Sequence, residues 1–241
     1  VNYRADPNVV QRLLPESFVP KLHAGHALIG ICLIRLEHIR PVGLPGFFGI
    51  ASENAAHRIA VEWVDADGVR REGVFIPRRD TNSRLNFWAG GRIFPGEHQL
   101  ARFDVRDDGH AIDLRMQSHD GAVSVRVVGR EAANMPQSSC FNSLAEASAF
   151  FEGGALGYST TREATRFDGL TLQTENWRVA PWAVSLVQSS YFEDAARFFR
   201  GSEEFDHALV MRDLPHRWRQ EEDLYSPPAP ASTMGRTPDL V

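Results

Sequence analysis

Polar and apolar residues alternate with a period of two along much of this chain, and glycine-containing turns cut the alternation into strand-length pieces. Val123, Val125 and Val127 alternate with Ser124 and Arg126, and Val184 and Leu186 alternate with Ser185 and Val187. Asp67-Gly68, Asp108-Gly109 and Asp120-Gly121 each separate two such runs, the short-range signature of a hairpin. They predict a hairpin of Ala56–Val64 with Val69–Ile76, and a three-stranded meander of Gln99–Val105, Ala111–Gln117 and Ala122–Val128. Ala27–Ile34 is an almost continuous apolar run and reads as a strand buried on both faces. Leu156–Thr161, Leu170–Trp177 and Ala183–Phe192 supply three further strands. Helical spacing is rarer. Asp6 and Pro7 open a short helix with Val9, Val10, Leu13 and Leu14 on one face. Ser143, with Glu146 three residues on, caps another that ends at Gly153 and Gly154. The chain is therefore mainly β, a β-rich α+β protein, and the hairpins close into a full or nearly full antiparallel barrel that leaves few edges. One domain is expected over residues 1–220. The Pro-rich stretch 221–241 cannot bury a core and is expected to be a disordered tail.

Composition narrows the chemistry more than the topology. Among 241 residues Lys21 is the single lysine, against twenty-five arginines. Arginine stays charged and does not form imines, so any Schiff-base mechanism must run through Lys21. The net charge of −5 and the mixing of arginines with acids leave no basic stripe, and nucleic acid is not an expected partner. No apolar stretch reaches membrane-spanning length, and the two cysteines, Cys32 and Cys140, are too few for a disulfide framework or a zinc cluster. A cytoplasmic location without membrane attachment follows as the expectation.

Phosphate-loop, nucleophile-elbow, dinucleotide and paired-histidine zinc motifs do not occur. His23 and His26 precede a strand, where their spacing puts them on opposite faces, so no metal is expected there. Arg78 and Arg79 follow Pro77 at a strand end, and Arg78 is a candidate for binding an anion. The competing reading is a solvated turn in which Asp80 pairs locally and caps a helix containing Leu85, Phe87 and Trp88. Glu97 and His98 are neighbours before the meander; in a strand they point to opposite faces, so at most one faces a barrel interior. Glu53 and His57 lie in a segment entering an otherwise apolar strand, where a carboxylate must be exposed, paired or functional.

The segments VVQRLLPESF (Val9–Phe18), SENAAHRIAVEW (Ser52–Trp63), AGGRIFPGEHQLARFDV (Ala89–Val105) and GYS (Gly157–Ser159), with Ala24–Ile34, resemble the DUF2071 family of the acetoacetate decarboxylase-like superfamily. The likeness spans residues 2–220 and implies an antiparallel β-barrel around a central cavity, with a few peripheral helices. In the decarboxylase branch a glycine–arginine turn leads to a proline and two lysines, one of which forms the imine. The stretch Gly91–Gln99 keeps the turn, with Arg92 matching its arginine, but holds no lysine. Glu53 is similar in position to an acid of that branch's early strand. The resemblance thus implies the fold without the imine reaction.

Three functions remain open. The first is a cavity protein that binds a small carboxylate or carbonyl compound and acts on it, if at all, as a lyase-like enzyme without cofactor or imine. His98 would be its proton carrier, Glu53 a second acid or the orienter of an imidazole, and Arg92, Glu97 and Arg78 its substrate contacts. The second is a carrier of an apolar ligand, suggested by the aromatics of Phe87–Phe94 and Tyr191–Phe199. The third is an interaction protein whose apolar loop Leu44, Phe47, Phe48 meets a partner or a second copy, giving a homo-oligomer.

Overall fold

The structure is a computed structural model, and it describes residues 1–39, 49–91, 95–174 and 176–226. The expected apolar loop Leu44, Phe47, Phe48 and residues 227–241 lie outside the described residues.

The chain runs β1 (Asn2–Ala5), α1 (Pro7–Gln11), β2 (Val19–Pro20), β3 (Leu22–His23), β4 (His26–Ile39), β5 (Ile50–Val64), β6 (Arg70–Thr81) and α2 (Arg84–Ala89). The meander follows as β7 (Gln99–Asp107), β8 (Ala111–Ser118) and β9 (Ser124–Glu131), then α3 (Leu144–Glu152) and β10 (Leu156–Thr160). The last elements are β11 (Arg166–Thr174), β12 (Ala180–Ser189), β13 (Glu203–Val210), β14 (His216–Gln220) and β15 (Leu224–Tyr225). Pairing in the order β6-β7-β8-β9-β12-β13-β1-β4-β5, with β5 returning to β6, closes a nine-stranded barrel. β10, β11 and β14 extend from the side of β6, so that strand meets β10 through Val74–Ile76 and β7 through Asp80 and Thr81. Both junctions are parallel, and the rest of the barrel is antiparallel.

Alternation along the strands divides the side chains between two layers. Inward go Ile29 and Ile31 of β4, Ala55, Ile59, Val61 and Trp63 of β5, and Leu114, Met116, Val125 and Val127 of the meander. Phe18, fully buried, joins them and meets Trp63, Phe75, Tyr158 and Phe167 at ring-centroid distances of 5.5–6.0 Å. On the outer face Leu28 and Ala60 are covered by Phe141, Ala147 and Phe151 as α3 lies across the sheet. Ala27–Ile31 is thereby buried on both faces, while Cys32, Leu33 and Ile34, the rest of the run expected to be so, are only partly buried. Among the described residues no helix is long and apolar enough to cross a membrane.

One irregularity positions the polar groups. Pro77 has no N–H to give a ladder, and around it β6 takes an extra residue: Ile59 pairs with Phe75, but His57, two residues earlier, pairs with Arg78. The bulge turns Arg78 and Asp80 to the same face as Phe75 and His57, and sends Arg79 outward. Strict alternation from Phe75 would have done the reverse.

Three local expectations need correction. Asp80 does pair with Arg78, but the cap of α2 is Ser83, whose hydroxyl accepts from the Asn86 N–H. His23 and His26 sit directly opposite each other, because Ala24 and Gly25 make a two-residue turn with positive φ between them. Residues 221–226, expected to belong to the tail, include paired ones: Leu224 and Tyr225 pair with Phe167 and Arg166, and Ser226 donates to the Thr165 carbonyl.

Candidate functional site

The two faces of the β5–β6 ladder each carry a polar cluster, and the residues singled out from sequence are divided between them. On the inner face His57 is fully buried, its ring 4.4 Å from Tyr191 and 5.8 Å from Phe192. Both imidazole nitrogens lack a hydrogen-bond partner among the described residues. Arg78, directly across the ladder, is already paired with two carboxylates: its Nε and Nη2 grip Asp80 at 2.8–3.1 Å, and Nη2 also reaches Asp120 of the β8–β9 turn at 3.1 Å. Burial, then the positive charges of Arg78 and Arg197, push His57 down to about 3, so the imidazole is neutral at physiological pH. Arg197 lies over the Tyr191 ring at 4.6 Å and is paired with Asp194. Two residues before Tyr191, the Ser189 hydroxyl is likewise buried without a partner. Glu53 stands on this same face of β5, nearer the rim, where it holds Arg35 at 2.6 Å.

On the outer face Arg79 donates from Nε to the Ser159 hydroxyl at 2.9 Å. Burial lowers its guanidinium to about 10, against the opposing influence of Cys32 and Asp168. The segment after α2 lies over it. Gly96 adopts φ +81° and donates its N–H to Asp168 at 2.9 Å, and His98 bonds through Nδ1 to the Gly96 carbonyl at 3.1 Å. Burial and then Arg79 push His98 down to about 4. Glycine is needed here for two reasons, since a Cβ at Gly96 would take a left-handed conformation and lie 2.7 Å from the Ser159 Cβ. A Gly96→Ala change is therefore expected to cost about 1–3 kcal/mol, read as a lowered urea midpoint. An unchanged midpoint would mean that the segment does not pack down on Ser159.

The residues expected to converge therefore fall into two groups. Arg78 and Glu53 face the barrel side, and His98 lies on the other side with Glu97, which pairs at 2.9 Å with Arg162. Arg92 lies outside the described residues. His57, although noticed beside Glu53, had no assigned role; its signal was a histidine within the apolar register of β5. Arg79, Ser159 and Tyr191 each lie in a segment noted in the sequence, but none had an assigned role, because the neighbours that surround them come from distant strands. Lys21 is remote from both clusters, on the outside between β2 and β3. Its ammonium pairs with Glu72 at 2.8 Å and lies 4.2 Å from the centre of the Phe150 ring. No group of three or more metal-ligating side chains is gathered among the described residues.

No curated protein matches the chain. Solved structures do, at low identity. The enduracididine biosynthesis enzyme MppR with HEPES buffer bound aligns with a TM-score of 0.53 and 13% identity over 94% of this chain and 82% of its own. An acetoacetate decarboxylase-like enzyme from Sphingomonas wittichii RW1 aligns with a TM-score of 0.50 and 12% identity over 94% and 87%. The acetoacetate decarboxylase of Legionella pneumophila gives 0.47 and 14% over 77% and 68%. At these identities the likeness is one of fold. The DUF2071 family model, described as an uncharacterized conserved protein, matches residues 1–208. The chain belongs to the DUF2071 family, on the fold of the acetoacetate decarboxylase-like proteins.

Proposed function

We propose that this protein binds a small carbonyl compound inside the barrel, with its oxygen accepting a hydrogen bond from the neutral imidazole of His57. The observation that carries the reading is the pair of unpartnered nitrogens on a fully buried ring. A buried polar group without a partner costs about 1–3 kcal/mol, and native folds rarely leave two on one side chain. A neutral imidazole offers one donor and one acceptor, suiting a carbonyl oxygen on one nitrogen and a hydroxyl or water on the other. Polarising a carbonyl by an imidazole held neutral is known electrophilic chemistry, and at about 3 His57 is too weak a base to take a proton itself. Arg78 does not invite an anion, because Asp80 and Asp120 already neutralise it. It holds the wall against which His57 packs. The proposed role of His98 as proton carrier passes to His57 as hydrogen-bond donor, and Glu53 is left as a rim residue.

A second reading rests on Arg79. It is a buried guanidinium whose side-chain partner is a neutral hydroxyl, beside the neutral His98, and it suits a carboxylate. Thermal-shift and calorimetric titrations with acetone, acetoacetate and acetate on the wild type, His57→Phe and Arg79→Gln separate the two. The barrel reading expects binding of acetone and acetoacetate, lost in His57→Phe and kept in Arg79→Gln. Binding of acetate and acetoacetate that disappears only in Arg79→Gln would replace it by the second. In neither case does an imine form: Lys21→Ala is expected to bind as the wild type does, and borohydride with acetoacetate is expected to trap no adduct. Trapping that depends on Lys21 would contradict the placement of its ammonium against Glu72.

A further inference from the structure

The outer face of the meander holds a groove of about 500 Å³ that is separate from both clusters. Its floor is set by strand register. One row across the sheet reads Asp104, Arg115, Arg126, Gln188, from β7 to β12. The next reads Arg102, Gln117, Ser124, and is continued by Ser190, which exchanges hydrogen bonds with Ser124 at 2.9 and 3.0 Å. The residues between these rows, such as Phe103, Met116 and Val125, point into the barrel core.

We propose that this groove binds a small organic polyanion bearing two or more carboxylate or phosphate groups. Arg115 and Arg126 are directly opposite each other on neighbouring antiparallel strands, about 5 Å apart at the backbone, an arrangement that is destabilising for like charges unless something of opposite sign lies between them. Among the described residues no carboxylate comes within 4 Å of Arg102 or Arg126. Arg115 has only Asp113, at 3.9 Å. The Arg126 Nε is moreover buried and makes no hydrogen bond, so a donor of fixed direction waits on the groove floor. Two acids line the groove. Glu193 is occupied in accepting from the Ser189 N–H at 3.2 Å, and Asp104 faces Arg115 without pairing to it. Three arginines and two acids line the groove, Asp113 lies beside Arg115 at its edge, and the hydroxyls and amides around them suit the uncharged parts of a metabolite-sized ligand. The guanidinium fork matches carboxylate and phosphate alike, so the anionic oxygens are the shared chemistry.

The test is calorimetric titration of the full chain with citrate and, separately, with pyrophosphate, at low salt and at 0.15 M. Arg126→Gln and Arg115→Gln are compared with Arg217→Gln, which removes one exposed arginine from β14 and controls for net charge. The expected result is binding of at least one probe, weakened about tenfold or more by Arg126→Gln and by Arg115→Gln, unchanged by Arg217→Gln, and weaker at the higher salt. The probe that binds more tightly names the anionic group. These side chains line an open groove outside the barrel core, and wild-type melting temperatures in the variants would certify that they fold. Binding of neither probe at low salt would overturn the proposal, as would affinities that fall equally in all three variants, since that would be net charge and not a site.

Discussion

Asp206→Ala is expected to destabilise the fold by about 3–5 kcal/mol, because it breaks a buried charged network by removing the partner that all the others share. Asp206 is fully buried, on the outer side of β13 beneath the segment that leads to α3. Its carboxylate accepts from Ser139 Oγ at 2.7 Å, from the Cys140 N–H at 2.8 Å and from Arg4 at 3.2 Å, and it takes the Nδ1–H of His207 at 2.6 Å. Burial alone would raise this carboxyl; the bonds from His207, Ser139 and Cys140 outweigh it and hold the group far below the usual carboxylate range. His207 is lowered by burial in spite of Asp206, so it is a neutral ring that donates to the carboxylate and accepts at Nε2 from the Asn2 amide, 3.1 Å away. Arg58 in turn donates to Asn2 Oδ1 at 2.8 Å. The chain of donors thus ties β5, β1 and β13 to the loop before α3. Asp206→Asn keeps the shape and an acceptor for Cys140 but not the charge, and is expected to lose less. Urea unfolding of both variants at pH 7 checks this; a loss under about 1 kcal/mol in Asp206→Ala would show that water replaces the carboxylate and that the network is not closed.

The arrangement also shows what a single sequence can and cannot reveal. The three Asp-Gly hairpins, the buried run at Ala27–Ile31 and the Ser143 cap were legible because each is local: a turn dipeptide, a hydropathy period, a side chain reaching its own backbone. β13 was not. Its sequence, EEFDHALV, interrupts the alternation with Asp206 and His207, and these are buried only because Arg4, Ser139 and Asn2 arrive from elsewhere in the chain. β1 gave no signal either, since four residues are too short for a period. The site suffered most from the bulge at Pro77. One added residue exchanged the faces of Arg78 and Arg79, so that Arg78, the arginine singled out at this corner, is the one that pairs with Asp80 and Asp120. Family resemblance located the Gly96–His98 segment and the missing lysine. It did not single out His57, whose ring nitrogens lack a hydrogen-bond partner among the described residues, a property no sequence displays.

Acidification is expected to weaken the protein steeply between pH 6.5 and 4, and His57 to account for the largest single share. The folded state holds His57 at about 3 and His98 at about 4, and His207 is lowered as well, while in the unfolded chain all three titrate near 6.5. A group whose folded value is depressed leaves the unfolded state binding more protons throughout the interval, so stability rises with pH there and falls as pH drops. Each such histidine contributes a slope of up to about 1.4 kcal/mol per pH unit, and His57 alone comes to about 3 kcal/mol by pH 4. His110 runs the other way, raised by its bond to Glu131, with its stabilisation present below 6.5 and lost as pH rises; being exposed on a turn, it offsets little. Urea midpoints of the wild type, His57→Leu and His98→Gln from pH 7.5 to 4.5 separate the shares. His57→Leu should flatten the curve by about one histidine's slope, whatever it does to stability at neutral pH. An unchanged slope would mean that the ring is protonated in the fold and has found a partner, and with it the neutral donor on which the proposed carbonyl binding rests would be gone.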